Sequence, residues 1–283
     1  MQQSKRDGGN DPRTTRVAGQ LRSLAGPWTD RSIRQRAIVL GALCEGMALL
    51  MLVLMALDVP IPANYVLYAL LSGPLIAMAY YATQHARKVL IDEVHRLGLH
   101  FSAKDPFNLR ALPLPAFRRS GEHRIEWVGS GEWLGLQVFL FGYRHRPVLE
   151  KTEDRFTCLI IKQPFWAPAL EIRREDAGSR LAGAIGIDDV QFESGAFNDT
   201  FRVTSDDKRF AYALVDQRMM DWLAVAPTYG FQVAGNAVMV IAPTMAPRDL
   251  EPFMGRAKEF VDQIPRAVRS MYRAEPSVTR WDG

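Results

Sequence analysis

Apolar positions in this chain follow three patterns, and each predicts a different environment. Two unbroken apolar runs stand back to back near the front, residues 37–57 and 63–82, with no Lys or Arg in either. Each is about the ~20 residues that a helix rising 1.5 Å per residue needs to cross a bilayer core of roughly 30 Å. Residues 83–99 then switch to helical period, with Leu90, Val94, Leu97 and Phe101 on one stripe and Arg87, Lys88, Asp92, Glu93 and Arg96 off it. From residue 124 onward, short apolar or alternating runs between turn residues predict strands.

The first run holds ten Leu, Ile or Val. Together they favour membrane insertion by about 3–6 kcal/mol, against roughly 2.5–3.5 kcal/mol opposing it from Glu45, so insertion wins. The second run has six such residues plus Ser72, Gly73 and Pro74, and is expected to enter as a hairpin with the first. Pro60 and Pro62 make the connector 58–62 a tight turn. Arg31, Arg34 and Arg36 precede the first run, Arg87 and Lys88 follow the second, and the connector carries no basic residue. The positive-inside rule therefore predicts a multi-pass protein with both termini in the cytoplasm. Tyr65 and Tyr68 at one end and Tyr80 and Tyr81 at the other suit the two interfacial belts. Arg outnumbers Lys 28 to 7, which points to a GC-rich bacterial genome and hence to a bacterial plasma membrane.

The expected fold class is α+β: a two-helix transmembrane hairpin, then a cytoplasmic antiparallel β-sheet domain covered by helices. Strands are expected at 124–128, 133–143, 155–162, 169–173, 189–193 and 200–204, with a turn at Gly129-Ser130-Gly131. A last pair, 230–234 and 237–242, flanks Gly235-Asn236, a two-residue hairpin signal. Residues 205–207 and Asp216 can each cap a short helix, the second carrying Met219, Met220, Trp222 and Leu223. The last helix, 249–264, aligns Leu250, Phe253, Met254, Ala257, Phe260, Val261 and Ile264 and ends at Pro265. The domain map reads 1–36 as a basic, partly disordered tail with an amphipathic stretch at 13–25, and 37–82 as the hairpin. Residues 83–123 are a juxtamembrane helix and Pro-containing linker, 124–270 the α+β domain, and 271–283 a disordered tail.

Charge adds one correction to this picture. The net charge is +4, but residues 1–36 carry +5, so the domain is nearly neutral. No acidic polymer is implied; the expected partners are the lipid bilayer and another protein or a second copy, not nucleic acid. Cys44 and Cys158 form no disulfide framework, and a reducing compartment fits.

Glu45 is the sharpest local feature, a carboxyl near mid-bilayer depth. It reads either as a proton- or cation-linked site or as a hydrogen-bonded packing element near Ser72. Gly41 and Ala48 on its face, and Ala69, Gly73 and Ala77 on the second run, would let the two helices approach closely. The five histidines lack metal-ligand spacing, and residues 126–133 lack the Lys-Ser/Thr ending of a phosphate loop. Asp188-Asp189 and Asp206-Asp207 suit caps, and Arg144-His145-Arg146 suits a strand end or a headgroup contact. No nucleophile elbow or dinucleotide fingerprint is present. No catalytic residue, metal or cofactor is assigned, and the domain reads as a protein-interaction or scaffold module. A membrane-bound enzyme with a pocket between sheet and helices, and a transport-related hairpin using Glu45, stand as alternatives.

The run Glu193-Ser194-Gly195-Ala196-Phe197-Asn198-Asp199-Thr200-Phe201-Arg202-Val203, followed by Ser205-Asp206-Asp207 and Trp222-Leu223, resembles a family of uncharacterised, mainly actinobacterial membrane proteins. The resemblance covers about residues 129–268 and rests on the pattern Glu-Ser-x-x-Phe-Asn-x-x-Phe-x-Val. It implies two spans near the front and a cytoplasmic domain, and it assigns no catalytic residue. Physically, Phe197, Phe201 and Val203 would anchor a bend in the core, while Ser194 and Asn198 would close it on backbone groups.

Overall fold

The computed structural model describes residues 30–57, 63–148, 152–174, 189–226 and 228–273. The amphipathic stretch at 13–25, the connector 58–62 and the tail beyond Arg273 lie outside them. The chain divides into two units, with the boundary between Leu90 and Ile91.

The first unit holds helix α1, Asp30–Ala56, and most of α2, Ala63–Arg96. Along α1 the side chains of Val39, Leu43, Met47, Leu49, Leu50, Leu52 and Val53 are exposed, as is Leu57 just after it. Among the described residues no helix is long and apolar enough to cross a membrane. The antiparallel sheet with helices is therefore found, and the transmembrane character of the hairpin is not.

The second unit is built on six antiparallel strands: β1 His100–Ser102, β2 Glu122–Trp133, β3 Leu136–Arg146, β4 Asp154–Arg174, β5 Phe201–Ser205 and β6 Gly230–Pro243. The order runs β1-β2-β3-β4-β5, and β6 pairs with β4. Strand β4 is the hub. Its first half pairs with β3, its last residues pair with β5, and nearly its whole length pairs with β6.

Side chains alternate across a strand, and here both alternating sets are buried. Phe139, Phe141, Cys158, Ile160, Met239 and Ile241 form one face. Val138, Leu140, Leu159, Ile161, Val238 and Val240 alternate with them and are 0–1% exposed. Helices cover this second set. They are α5 Lys208–Leu214, α6 Gln217–Val225, α7 Leu250–Gln263 and α8 Arg266–Met271, with the end of α2 alongside; the single turns α3 Pro115–Arg118 and α4 Gly195–Asn198 lie in loops. Phe231 of β6 stacks on Phe260 of α7 with centroids 4.4 Å apart, and Trp222 of α6 meets both rings. Asp207 caps α5 and Asp216 caps α6, each accepting backbone N–H bonds in the first turn.

Four local expectations change. Gly129-Ser130-Gly131 is not a turn but the middle of β2; the turn is Leu134-Gly135, with φ of 48° and 76°. The two glycines serve close approach instead. A Cβ on Gly129 would lie 2.8 Å from Val94 Cγ1, and one on Gly131 would lie 3.2 Å from Leu99 Cδ2. Gly235-Asn236 is not a hairpin either, because both arms pair with the same neighbour, β4. Gly235 (φ 57°) sits opposite a bulge in β4 around Pro164, a residue with no N–H for the ladder. Residues 189–193 form only an isolated bridge, Asp189 to Thr204, rather than a strand. Residues 103–121, expected as a linker, lie against the sheet with Leu109 and Leu114 at 0% exposure.

The tight seat of Val94 over Gly129 gives a direct test. Gly129→Ala should lower unfolding stability by about 1–3 kcal/mol through overpacking. Adding Val94→Ala should cost less than the sum of the two single changes. Denaturant unfolding of the four proteins measures this, and simple additivity would contradict the packing described.

Candidate functional site

The face carrying Phe139 and Phe141 has no long helix on it. Residues 103–121, which join β1 to β2, close it as a strap. Asp105 starts the strap by accepting the N–H groups of Phe107 (3.0 Å) and Leu109 (2.8 Å). A 3-10 turn follows at Leu109–Ala111, and Pro115 then opens α3 at a position where a missing N–H costs nothing. Prolines at 113 and 115 exclude a ladder strand or a long helix, so the strap covers the sheet with side chains. Leu109, Leu114 and Ala116 are buried against Phe139, Phe141, Cys158, Ile160, Met239 and Ile241, with Leu112 and Phe117 packed beside them.

A strap laid over an apolar face buries backbone groups that need partners. The sheet supplies them through a polar cluster. Ala116 N–H donates to Gln232 Oε1 (3.0 Å), and Gln232 Nε2 donates to Glu171 Oε1 (3.0 Å). Arg119 Nη2 donates to the same oxygen at 2.5 Å, and the two charged side chains are only 7% and 5% exposed. Tyr143 Oη lies 3.1 Å from Ala116 O and 2.6 Å from His123 Nδ1, and its single hydrogen serves one of the two at a time. His123 Nε2 bonds Arg119 O (2.7 Å), and His145 Nε2 bonds Ser120 O (3.0 Å). The two imidazoles stack with centroids 4.8 Å apart. Arg119 Nε and Glu171 Oε2 are buried with no hydrogen-bond partner among the described residues.

His123 is the hinge of this cluster. A carbonyl only accepts, so Nε2 carries hydrogen toward Arg119 O. In the neutral ring, Nδ1 then accepts from Tyr143 Oη at 2.6 Å. Protonation makes Nδ1 a donor and turns the Tyr143 hydroxyl wholly to Ala116 O. That gains one hydrogen bond, worth about 0.5–1.5 kcal/mol net. It also buries a cation beside Arg110, Arg119 and His145, which costs several kcal/mol without a counter-charge. The cost wins. Burial, first, and those cationic neighbours hold the imidazole below its usual range, while the bond to Arg119 O pulls it the other way. Burial also pushes up the Tyr143 hydroxyl and the Cys158 thiol.

An open cleft of ≈ 640 Å³ reaches this cluster from outside, lined by Arg110, Gly121, Glu122, His123, Arg146, Pro147 and Val148. Arg146 is paired with Glu153 (2.6 Å) and Glu122 (3.4 Å), and Arg144 with Glu126 and Glu153. Residues 144–146 are therefore an ion-paired strand end with a buried His145. Both nitrogens of His123 are engaged, so the cluster can take up or lose a proton but presents no free base to the cleft. Among the described residues no group of three His, Cys, Asp or Glu is placed to hold a metal ion.

The residues singled out in the sequence fall elsewhere. Glu45 is exposed on α1, where Gly41 is half-buried. Ala48 lies on α1, and Ala69, Ser72, Gly73 and Ala77 on α2; their side chains lie outside the description. Glu193 is exposed, ahead of a closed bend. Ser194 Oγ accepts Phe197 N–H (3.3 Å). The Asn198 amide accepts Phe192 N–H (2.9 Å) and donates to Phe192 O (2.6 Å). Phe197 stacks on Phe201 at 4.9 Å, and Val203 O accepts Val190 N–H. The polar cluster itself escaped the sequence reading. Its signal was Glu171 between Leu170 and Ile172, and Gln232 between Phe231 and Val233: polar residues inside apolar strands, and register partners.

The crystal structure of the mycobacterial trehalose monomycolate transport factor A, TtfA, is similar to this chain with a TM-score of 0.46 and 14% identity, over 63% of this chain and 95% of that one. No protein-family model matches the chain, and no curated protein does.

Breaking the buried ion pair from one side should be costly. Glu171→Gln leaves the Arg119 guanidinium without a counter-charge and should destabilise by about 3–5 kcal/mol. Replacing both partners, Arg119→Met with Glu171→Leu, should cost less than either single change. Denaturant midpoints decide this; a double variant as unstable as the sum of the singles would contradict it.

Proposed function

We propose that this chain is a bacterial plasma-membrane protein whose runs 37–57 and 63–82 cross the bilayer as a hairpin with both termini in the cytoplasm. Its second unit, from Ile91 onward, is a protein-interaction module held at the membrane face, working on another protein or on a second copy. The family resemblance over residues 129–268 fits the same reading.

One observation carries the membrane part. Large apolar side chains stand exposed around α1 at Val39, Leu43, Met47, Leu49, Leu50, Leu52 and Val53. At 100° per residue these seven positions spread over about 220° of the helix surface, wider than the roughly 100° stripe that a helix turns to a protein core. An apolar surface that broad suits hydrocarbon as its solvent. Hydropathy over whole runs, with the basic flanks at Arg31, Arg34, Arg36, Arg87 and Lys88, supplies the orientation.

Filled packing supports interaction over chemistry. A pocketed enzyme of this class would keep a cavity between sheet and helices. That interface instead holds the buried Phe231, Phe253, Phe260 and Val261, with half-buried Trp222 against the rings of Phe231 and Phe260. Asp207 and Asp216 are engaged as caps and Glu171 in its ion pair.

Cell fractionation tests the reading. The full-length protein should stay in the membrane pellet after an alkaline carbonate wash and leave it only with detergent. Protease added outside intact cells should spare residues beyond 91. Recovery as a detergent-free soluble species, or external cleavage of the second unit, would contradict it.

A further inference from the structure

We propose that residues 103–121 are an acid-released strap operated by His123: a proton gained on that ring frees the strap from the sheet and uncovers the apolar face beneath it. The inference concerns the second unit alone and does not depend on membrane attachment.

Three elements face the ring. From β3 come the Tyr143 hydroxyl and the stacked His145 imidazole. From the strap come the Arg119 carbonyl and the positive charges of Arg119 and Arg110. On its own strand the neighbouring Glu122 is turned to Arg146 at 3.4 Å. From β4, Glu171 is already engaged by Arg119 and Gln232. No carboxylate among the described residues is bonded to His123. An imidazolium here is largely buried and faced by cations. Lifting the strap removes Arg119 and Arg110 from its surroundings and admits solvent, so the open state binds the proton better than the closed one. Linkage then fixes the sign. The closed strap is favoured above the ordinary histidine range and loses ground as pH falls below it.

Two features make this a device rather than a general acid instability. The hold is local, because His123 and His145 grip the consecutive carbonyls of Arg119 and Ser120 at the strap's end. The cleft bordered by Arg110, Gly121 and Val148 gives the ring a route for protons without unfolding. What opening uncovers is specific: Phe139, Phe141, Met239 and Ile241.

Hydrogen exchange on the full-length protein in detergent, compared at about pH 7.5 and about pH 5.5 after correction for intrinsic rates, tests this. Amides of 109–120 should lose protection at least about threefold at the lower pH, while those of 158–161 and 253–261 hold. His123→Gln should abolish the step and His145→Gln should retain it. Should His123→Gln not fold, ring titration of the wild-type protein by NMR serves: His123 should titrate below the ordinary range, in the interval where strap protection falls. A strap equally protected at both pH values, a step that survives His123→Gln, or a loss of protection spread evenly over the sheet would each overturn the proposal.

Discussion

A sheet that is apolar on both faces must be covered twice, and the rest of this unit follows from that constraint. Each strand through the middle, from Phe139–Phe141 to Val238–Ile241, buries both of its alternating sets. Helices satisfy the first face in the ordinary way, with Phe253, Met254, Phe260 and Val261 descending from one amphipathic helix. The second face receives only the connection between β1 and β2. A proline-bearing segment with one 3-10 turn and the single turn α3 satisfies only some of its backbone groups by itself. The sheet must therefore offer polar groups from within its apolar strands, which places Glu171, Gln232, Tyr143 and His123 where apolar residues would otherwise stand.

This explains why a charged pair sits in the cover of a hydrophobic core. Arg119 and Glu171 gain little over a well-packed apolar pair in stability terms, since desolvation offsets most of their attraction. What they add is position: together with Gln232 they fix where Ala116 and Arg119 meet the sheet. His123 and His145 then bind the next two carbonyls. The strap end is held beside one buried imidazole, His123, whereas the helix-covered face is closed by apolar side chains such as Phe253, Phe260 and Val261.

Periodicity made the helices legible. The spacing of Leu250 through Ile264 and the caps at Asp207 and Asp216 are local signals, and local structure obeys them. Glycine was misleading for the opposite reason. Gly129, Gly131 and Gly235 stand against neighbours distant in sequence, Val94 for the first, Leu99 for the second, and Pro113 and Trp166 for the third, and no local pattern separates that need from a turn. The strap was hidden for a similar cause. Its prolines and mixed charge have the composition of a linker, and only the long-range burial of Leu109 and Leu114 makes it part of the core. Glu171 and Gln232 were readable in principle, as polar residues interrupting apolar strands, but their pairing across β4 and β6 depends on a bulged register that the sequence does not announce.

Cys158 offers the most direct test of the strap as a true cover. Its thiol is free, fully buried and part of the face the strap closes. In a Cys44→Ala background it is the only thiol left in the chain. A small water-soluble thiol reagent at neutral pH should fail to label it on the timescale of minutes and should label it fully once denaturant is added. Rapid, stoichiometric labelling of the native protein at neutral pH would mean that the face stands open and that residues 103–121 are the linker their composition suggests.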